Sequence, residues 1–214
     1  MKKLVYISLF SMLCGPSMAQ TLNDCALSYH EKYKKMDLEA GRKLITKATT
    51  DSLRTVLDDE LQGCIIGKEL PAYSLVGRSG KTYTNEDLKG KVVFFNFWSV
   101  NCGPCVMEIP VLNKLYLSYK DNEDVVFISI LADKEEALEK FLAGGLIKKR
   151  IAYDVVPDSK AKMKDTFKLI KGYPTNLFVD REGKIFMRTY GGIVDPKDED
   201  KLEAKLRGII DNEL

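Results

Sequence analysis

Two runs of almost uninterrupted apolar, β-favouring residues constrain this chain more than any other feature. They are Lys91–Phe97, reading KVVFFNF, and Val125–Leu131, reading VVFISIL. A strand with one wet face alternates apolar and polar residues, so runs of this kind predict strands buried on both faces. The segments around them alternate in type. Val106–Tyr119 has a helical pattern and carries Pro110, where a kink is expected. Lys134–Leu142 reads as a helix ended by Gly144-Gly145, Ile151–Val156 as a shorter strand and Ser159–Phe167 as a helix. Asn176–Asp180 and Ile185–Tyr190 flank Arg181-Glu182-Gly183, the pattern of a β-hairpin. Asp195-Pro196 supplies an N-cap and a first-turn proline for a last helix from about Lys197 to Asn212. Strands alternating with helices predict an α/β architecture around a central sheet.

Upstream the pattern changes. From Asn23 to about Gln62 there is no proline and a single glycine, Gly41. Apolar residues recur at helical spacing through Leu38, Leu44 and Ile45, then Leu53, Val56, Leu57 and Leu61. Two helices bending near Gly41 are expected, with Glu31, Lys32, Lys34 and Lys35 on a solvated face. The composition shifts at Gly63. Leu70–Leu75 and the stretch after Gly80-Lys81-Thr82 read as short extended segments, and Asn85–Leu88 as a brief helical turn. His30 is the sole histidine, has no second one to form a metal site or a dyad, and receives no role.

The first residues form a separate pattern. Lys2 and Lys3 precede an apolar run from Leu4 to Leu13, Pro16 breaks it, and Ser17-Met18-Ala19 places small residues where a signal peptidase requires them. This predicts a secretory signal peptide over residues 1–19, a helical extension over 20–62 and a larger domain over 63–214. An uncleaved anchor is the alternative, although the run is short for a membrane span. A lipid anchor on Cys14 is disfavoured by Leu13, where a small residue is required. Cleavage would remove Lys2 and Lys3 from a balance of 33 basic against 31 acidic residues, leaving the signs equal. Interspersed charge near neutrality gives no footprint for nucleic acid. Cleavage would also remove one of five cysteines, leaving the even set Cys25, Cys64, Cys102 and Cys105 that oxidising compartments favour. An exported protein, in the bacterial periplasm and without stable membrane insertion, is expected.

Cys102-Gly103-Pro104-Cys105 lies just after the first buried strand and just before a helix. Cysteines at this spacing in a first helical turn can bridge with little backbone motion. The first faces solvent, where unsatisfied helix N–H groups and the dipole stabilise its thiolate, the attacking species in thiol–disulfide exchange. The second, one turn further in, resolves the mixed disulfide. The same spacing is half of a zinc site, but Cys25 and Cys64 stand far apart in sequence and offer no second ligand pair. An inert bridge is the other alternative. No cofactor and no metal are called for.

Phe95-Asn96-Phe97-Trp98-Ser99-Val100-Asn101-Cys102-Gly103-Pro104-Cys105 closely resembles the active-site segment of the thioredoxin superfamily. Gly67-Lys68-Glu69-Leu70-Pro71, Gly90-Lys91-Val92-Val93, Glu108-Ile109-Pro110, Gly172-Tyr173-Pro174-Thr175 and Val179–Ile185 resemble its exported TlpA/ResA/DsbE-like branch. The resemblance spans about Ile65 to the C-terminus and leaves residues 20–62 uncovered. It implies a thioredoxin-like fold, a central mixed sheet flanked by helices, here with an α-helical N-terminal extension. It further implies that Cys102 is the nucleophile and Cys105 the resolving thiol. Pro174 matches the family's cis-proline, the backbone at Tyr173 would pair with an extended substrate chain, and Trp98 would shield one side of the site, its alternative being core packing. Glu108, three positions after Cys105 and so on one helix face with it, would exchange the Cys105 proton. Thioredoxin itself has an aspartate where Asn96 stands. Two departures are Asn101, in place of the usual tryptophan, and Val106, in place of a basic residue.

Cys25 and Cys64 bracket the helical segment. A bridge between them would stabilise by about 4 kcal/mol before strain; free thiols or a second redox relay are the alternatives. The expected function is exported thiol–disulfide oxidoreduction of protein substrates, in the reducing direction, with a membrane electron-transfer partner to recharge it. The rivals are a dithiol oxidase, a binding or holdase module with an incidental disulfide, and a thioredoxin-fold peroxidase. The last is disfavoured because Cys102 lacks a Pro-x-x-x-Thr-x-x-Cys setting.

Overall fold

The structure, a computed structural model, describes residues 20–144, 151–160, 162, 166–170, 172–192 and 195–214. The expected leader over residues 1–19 lies outside the described residues, as does part of the expected helix Ser159–Phe167. The strands in chain order are β1 (Ser74–Val76), β2 (Thr82–Thr84), β3 (Val92–Trp98), β4 (Val125–Leu131), β5 (Asp154–Val156), β6 (Thr175–Val179) and β7 (Ile185–Tyr190). The helices are α1 (Leu22–Gly41), α2 (Lys47–Ile65), α3 (Gly103–Tyr119), α4 (Glu135–Ala143) and α5 (Glu199–Asp211). The two apolar runs lie inside a five-stranded mixed sheet of order β5-β4-β3-β6-β7. The β3/β4 and β4/β5 pairs are parallel, and the β3/β6 and β6/β7 pairs antiparallel. Every residue of β3 is buried, as its composition requires for the central strand.

Alternate residues of the central strands feed two separate cores. Val92 and Phe94 of β3, Phe127 of β4 and Phe178 of β6 pack with Leu112, Leu115 and Tyr119 of α3 and with Leu206 and Ile210 of α5. Val93, Phe95 and Phe97 face the other way, with Leu177 and Val179, toward Tyr29 and Met36 of α1 and Leu57, Leu61 and Ile65 of α2. The N-terminal helices are therefore a layer of the fold that covers one face of the sheet.

Three devices fasten that layer. Cys25 in the first turns of α1 is joined to Cys64 in the last turn of α2, with Cα atoms 5.7 Å apart. Thr21 and Asp24 form a reciprocal capping box at the start of α1. From β7, the Arg188 side chain is only 3% exposed and its guanidinium meets Asp58 of α2 at 3.2 Å, while the Tyr29 hydroxyl donates to the same carboxylate at 2.9 Å. The Arg188 head lies 6.0 Å from the Tyr29 ring centroid and 5.5 Å from that of Tyr190, so aromatic faces replace part of its lost hydration. Among the described residues, no helix is long and apolar enough to cross a membrane.

Several boundaries differ from their sequence expectations, among them the later start of β5 at Asp154 and the earlier start of α3 at Gly103, and two others have an identifiable cause. α2 runs through Gly63 to Ile65, because burial of Leu61 and Ile65 and the Cys64 bridge hold its last turn despite the weak helix propensity of glycine. The last helix begins at Glu199, because the Asp195 carboxylate accepts from Lys197 N at 3.1 Å and caps a separate 3-10 turn over Pro196–Asp198.

Asp58→Ala would leave the Arg188 guanidinium buried without its counter-charge. The expected loss is about 3 kcal/mol in urea unfolding, most of it recovered in Asp58→Ala/Arg188→Met. Equal destabilisation of the single and double variants would show that the guanidinium contributes nothing to the loss.

Candidate active site

β3 ends at Trp98, and the chain turns over Ser99–Asn101 into α3. Cys102 N donates to Ser99 O at 3.1 Å, and Val100 N donates to the Asp133 carboxylate at 2.9 Å, which ties the turn to the segment after β4. Cys102 thus becomes the N-cap of α3, with Cys105 N pointing at its sulfur at 3.3 Å. The cap position places that sulfur at the positive end of the helix, where a thiolate is stabilised. Cys102 and Cys105 are joined as a disulfide with Cα atoms 5.2 Å apart. The two sulfurs are not equivalent. Cys102 is partly exposed, whereas Cys105 is 2% exposed and packs with Ile109, Leu131, Leu138 and Val155.

Trp98 lies in the same apolar cluster. It is buried, its indole N–H donates to Ser129 Oγ at 2.7 Å, and its ring meets Phe141 edge-on. Both Cys105 and the partly buried Cys102 pack against this cluster.

The Tyr173–Pro174 peptide is cis. Gly191 N donates to Pro174 O at 3.1 Å, and Thr175 Oγ1 donates to Gly172 O at 2.8 Å, so this loop is held from both sides. Tyr173 is half-buried against the Cys105 cluster. Burial raises its phenol, as does the charge of Asp133. Gly192 is a site residue that sequence reasoning missed. A Cβ there would lie 2.7 Å from Pro174 Cγ and 2.9 Å from Pro104 O, so only glycine lets the loop after β7 pass between the CGPC turn and Pro174. The Gly191-Gly192 pair after the last strand was the available signal.

Glu108 sits in the second turn of α3 with no exposed surface. Asn176 Nδ2 donates to its Oε1 at 3.1 Å, and Asn96 Nδ2 donates to Asn176 Oδ1 at 2.8 Å. Its other oxygen, Oε2, has no partner. Burial pushes the Glu108 carboxyl up to about 7, against the opposing pull of the Asn176 hydrogen bond. Asn96 and Asn176 are register partners on β3 and β6, so the sheet itself aims the pair at α3. Asn176 was also missed; a polar residue interrupting a buried strand was its signal. The arrangement combines a partly exposed sulfur at a helix N-terminus, a buried sulfur and a buried carboxyl that titrates near neutrality. It suits proton-coupled exchange of a dithiol. Among the described residues, no group of three or more His, Cys, Asp or Glu side chains is placed to hold a metal.

Residues 66–187 match the AhpC/TSA family. The chain is 34% identical over 145 residues to the thiol-disulfide oxidoreductase ResA of Bacillus cereus, covering 67% of this chain and 78% of that one. Among solved structures, it is similar to one named as a DsbE thiol:disulfide interchange protein from Chlorobium tepidum. That match has a TM-score of 0.54 and 29% identity, and covers 68% of this chain and 97% of the other. The thioredoxin domain of a thiol-disulfide oxidoreductase from Bacteroides vulgatus matches with a TM-score of 0.54, 27% identity and the same coverage.

The burial of Glu108 has a consequence for stability. An unfolded chain releases this proton near 4.5, whereas the folded chain holds it to about 7. The folded state therefore binds the proton more tightly, and the protein loses stability as pH rises between those values, by about 3 kcal/mol in all. Glu108→Gln should remove that slope from the difference between chemical-denaturation curves taken at pH 5 and pH 8. An unchanged slope would place the ionisation elsewhere.

Proposed function

Given that this chain belongs to the AhpC/TSA family and is a thiol-disulfide oxidoreductase of thioredoxin-like fold, we propose that it reduces disulfides of protein substrates outside the cytoplasm. The observation that carries this reading is the inequality of the two sulfurs, a partly exposed Cys102 at the helix cap and a buried Cys105 behind it.

In the reduced protein the Cys102 thiolate attacks one sulfur of a substrate disulfide. A Cys102–substrate bond forms, and the other substrate sulfur leaves as a thiolate. Cys105 then gives its proton to Glu108 and attacks Cys102 Sγ, which releases the second substrate sulfur as a thiolate. The substrate has gained two electrons, and the Cys102–Cys105 disulfide has formed. The Tyr173–Pro174 loop is the docking edge, where substrate backbone lies extended against Tyr173. Trp98 packs behind Cys105 and keeps water from the resolving sulfur. Cys25–Cys64 serves as the structural bridge. Each turnover leaves the motif oxidised, so a membrane electron-transfer protein that passes two electrons to Cys102–Cys105 completes the cycle. Residues 1–19 act as the export signal, which accounts for the even set of remaining cysteines.

Trapping tests this reading. Cys105→Ser should accumulate mixed disulfides with cell-envelope proteins that dithiothreitol releases, and Cys102→Ser/Cys105→Ser should accumulate none. Purified reduced protein should reduce insulin, whereas a dithiol oxidase would instead oxidise reduced substrate protein at a higher redox potential. Glu108→Gln should slow the resolving step by about a hundred-fold or more, as removal of a general base does. Absence of adducts in Cys105→Ser would reject Cys102 as the nucleophile.

A further inference from the structure

Glu108 is held by one oxygen only. Oε1 accepts from Asn176 Nδ2 at 3.1 Å, and Oε2, buried, has no hydrogen-bond partner. The Asn176 amide has a defined orientation. Its Oδ1 accepts from Asn96 Nδ2 at 2.8 Å, which leaves its NH2 group as the donor toward Glu108. The β3/β6 register sets Asn96 directly opposite Asn176, and the ionised Glu108, which only accepts, takes the Asn176 NH2 and leaves its Oδ1 for Asn96. A carbonyl oxygen accepts an N–H more strongly than a carboxyl hydroxyl does, so the oxygen that faces Asn176 is favoured as the C=O of the protonated acid. The proton of Glu108 is therefore favoured on Oε2. In the oxidised protein the Cys105 sulfur is engaged with Cys102 and has no hydrogen to offer. An Oε2 without a partner in this state is what a carboxyl serving the Cys105 thiol would show.

We propose that Asn176 is a positioning residue that confines the exchangeable proton of Glu108 to Oε2, with Asn96 fixing the direction in which Asn176 donates. This rests on the reading of Glu108 as the group that exchanges the Cys105 proton. When the motif is oxidised by a disulfide, the Cys105 proton passes to Oε2, the Cys105 sulfur bonds to Cys102 Sγ, and the second thiolate of the oxidant leaves. Glu108 later returns the proton to water. Throughout, Asn176 stabilises the carboxylate through Oε1 and keeps its ionisation near neutrality. Few ionisable groups surround Glu108 among the described residues. Cys105 lies on its own helix. Tyr153, leading into β5, has a phenol raised by burial and by the charge of Glu108. The sheet beneath contributes the neutral amides of Asn96 and Asn176.

The test uses full-length reduced protein and the small disulfide DTNB. The first TNB released reports attack by Cys102, and the second reports resolution by Cys105. The pH midpoint of the second release is compared with the 13C NMR titration of the Glu108 carboxyl carbon. Asn176→Leu removes the donor at similar volume. Asn176→Ala removes the donor without adding bulk or charge. Both substitutions should raise the Glu108 midpoint by about one to two pH units, the worth of one hydrogen bond to a carboxylate, and the midpoint for second release should follow. Asn176→Ala tests the same point if Asn176→Leu fails to fold. A purely structural Asn176 would lower stability and leave both midpoints in place, which would overturn the proposal. Glu108→Gln separates the two failures. If it abolishes the pH dependence of second release while the Asn176 variants leave that midpoint unmoved, positioning by Asn176 is rejected and the role of Glu108 stands. If it leaves second release unchanged, both are rejected.

Discussion

Everything chemical in this protein hangs from the junction at which a fully buried strand becomes the N-terminus of a helix. β3 is fixed on both faces by two aromatic cores and on both edges by β4 and β6. Its C-terminal end therefore has little freedom. The turn over Ser99–Asn101, closed by Cys102 N to Ser99 O and Val100 N to Asp133, delivers Cys102 to the helix cap. A close-packed sheet does for the sulfur what a flexible loop would not, holding it at the positive end of α3 whatever substrate approaches. The second sulfur, one turn on, is pressed into the Trp98 cluster. One backbone feature thus creates an exposed sulfur and a hidden one.

The sheet carries a polar interruption beneath that junction. Ser129, Asn96, Asn176 and Thr189 are successive register partners across β4, β3, β6 and β7. Ser129 is taken up by the Trp98 indole, and the two asparagines by each other and by Glu108. Buried polar groups cost free energy unless paired, so the hydrogen bonds along this row are what make it tolerable inside an aromatic core. Beside this row, Glu108 Oε2 is left without a partner, on the carboxyl whose other oxygen receives the Asn176 hydrogen bond. Thioredoxin, with its aspartate on the strand, mounts the carboxyl in the sheet. Here the strand position is Asn96 and the carboxyl stands on α3, three residues from Cys105, so the sheet supplies orientation and the helix supplies the acid.

Much of this was legible in the sequence because it is local. The KVVFFNF and VVFISIL runs predict their strands by composition alone, and the CGPC spacing predicts a cap and a resolving turn. Glu108 was readable as a helix-face neighbour of Cys105. What was not legible depends on register. Nothing near Asn176 in sequence indicates that it faces Asn96 eighty residues away. Gly192 matters only because the loop after β7 passes between two prolines, and spacing does not reveal a close approach in space. Arg188 belongs to no motif in the sequence, and its pairing with Asp58 follows only from β7 lying against the helices. Boundary errors had the same origin. Gly63 looks like a break, yet burial of Ile65 and the bond at Cys64 carry the helix past it.

The N-terminal helices bear on the site through this same register logic. Arg188 lies between Tyr29 of α1 and Tyr190 at the end of β7, with Asp58 of α2 as its counter-ion. The Tyr190 hydroxyl lies 2.5 Å from where a Gly172 Cβ would stand, and Gly172 opens the loop that holds Tyr173 and Pro174. The helical layer, the guanidinium, the tyrosine and the loop of Tyr173 and Pro174 are linked by successive contacts. The layer that covers one face of the sheet thus also bears on the Tyr173–Pro174 loop. The Cys25–Cys64 bond, which closes the helical pair at its open end, lies at the far end of the same chain of contacts.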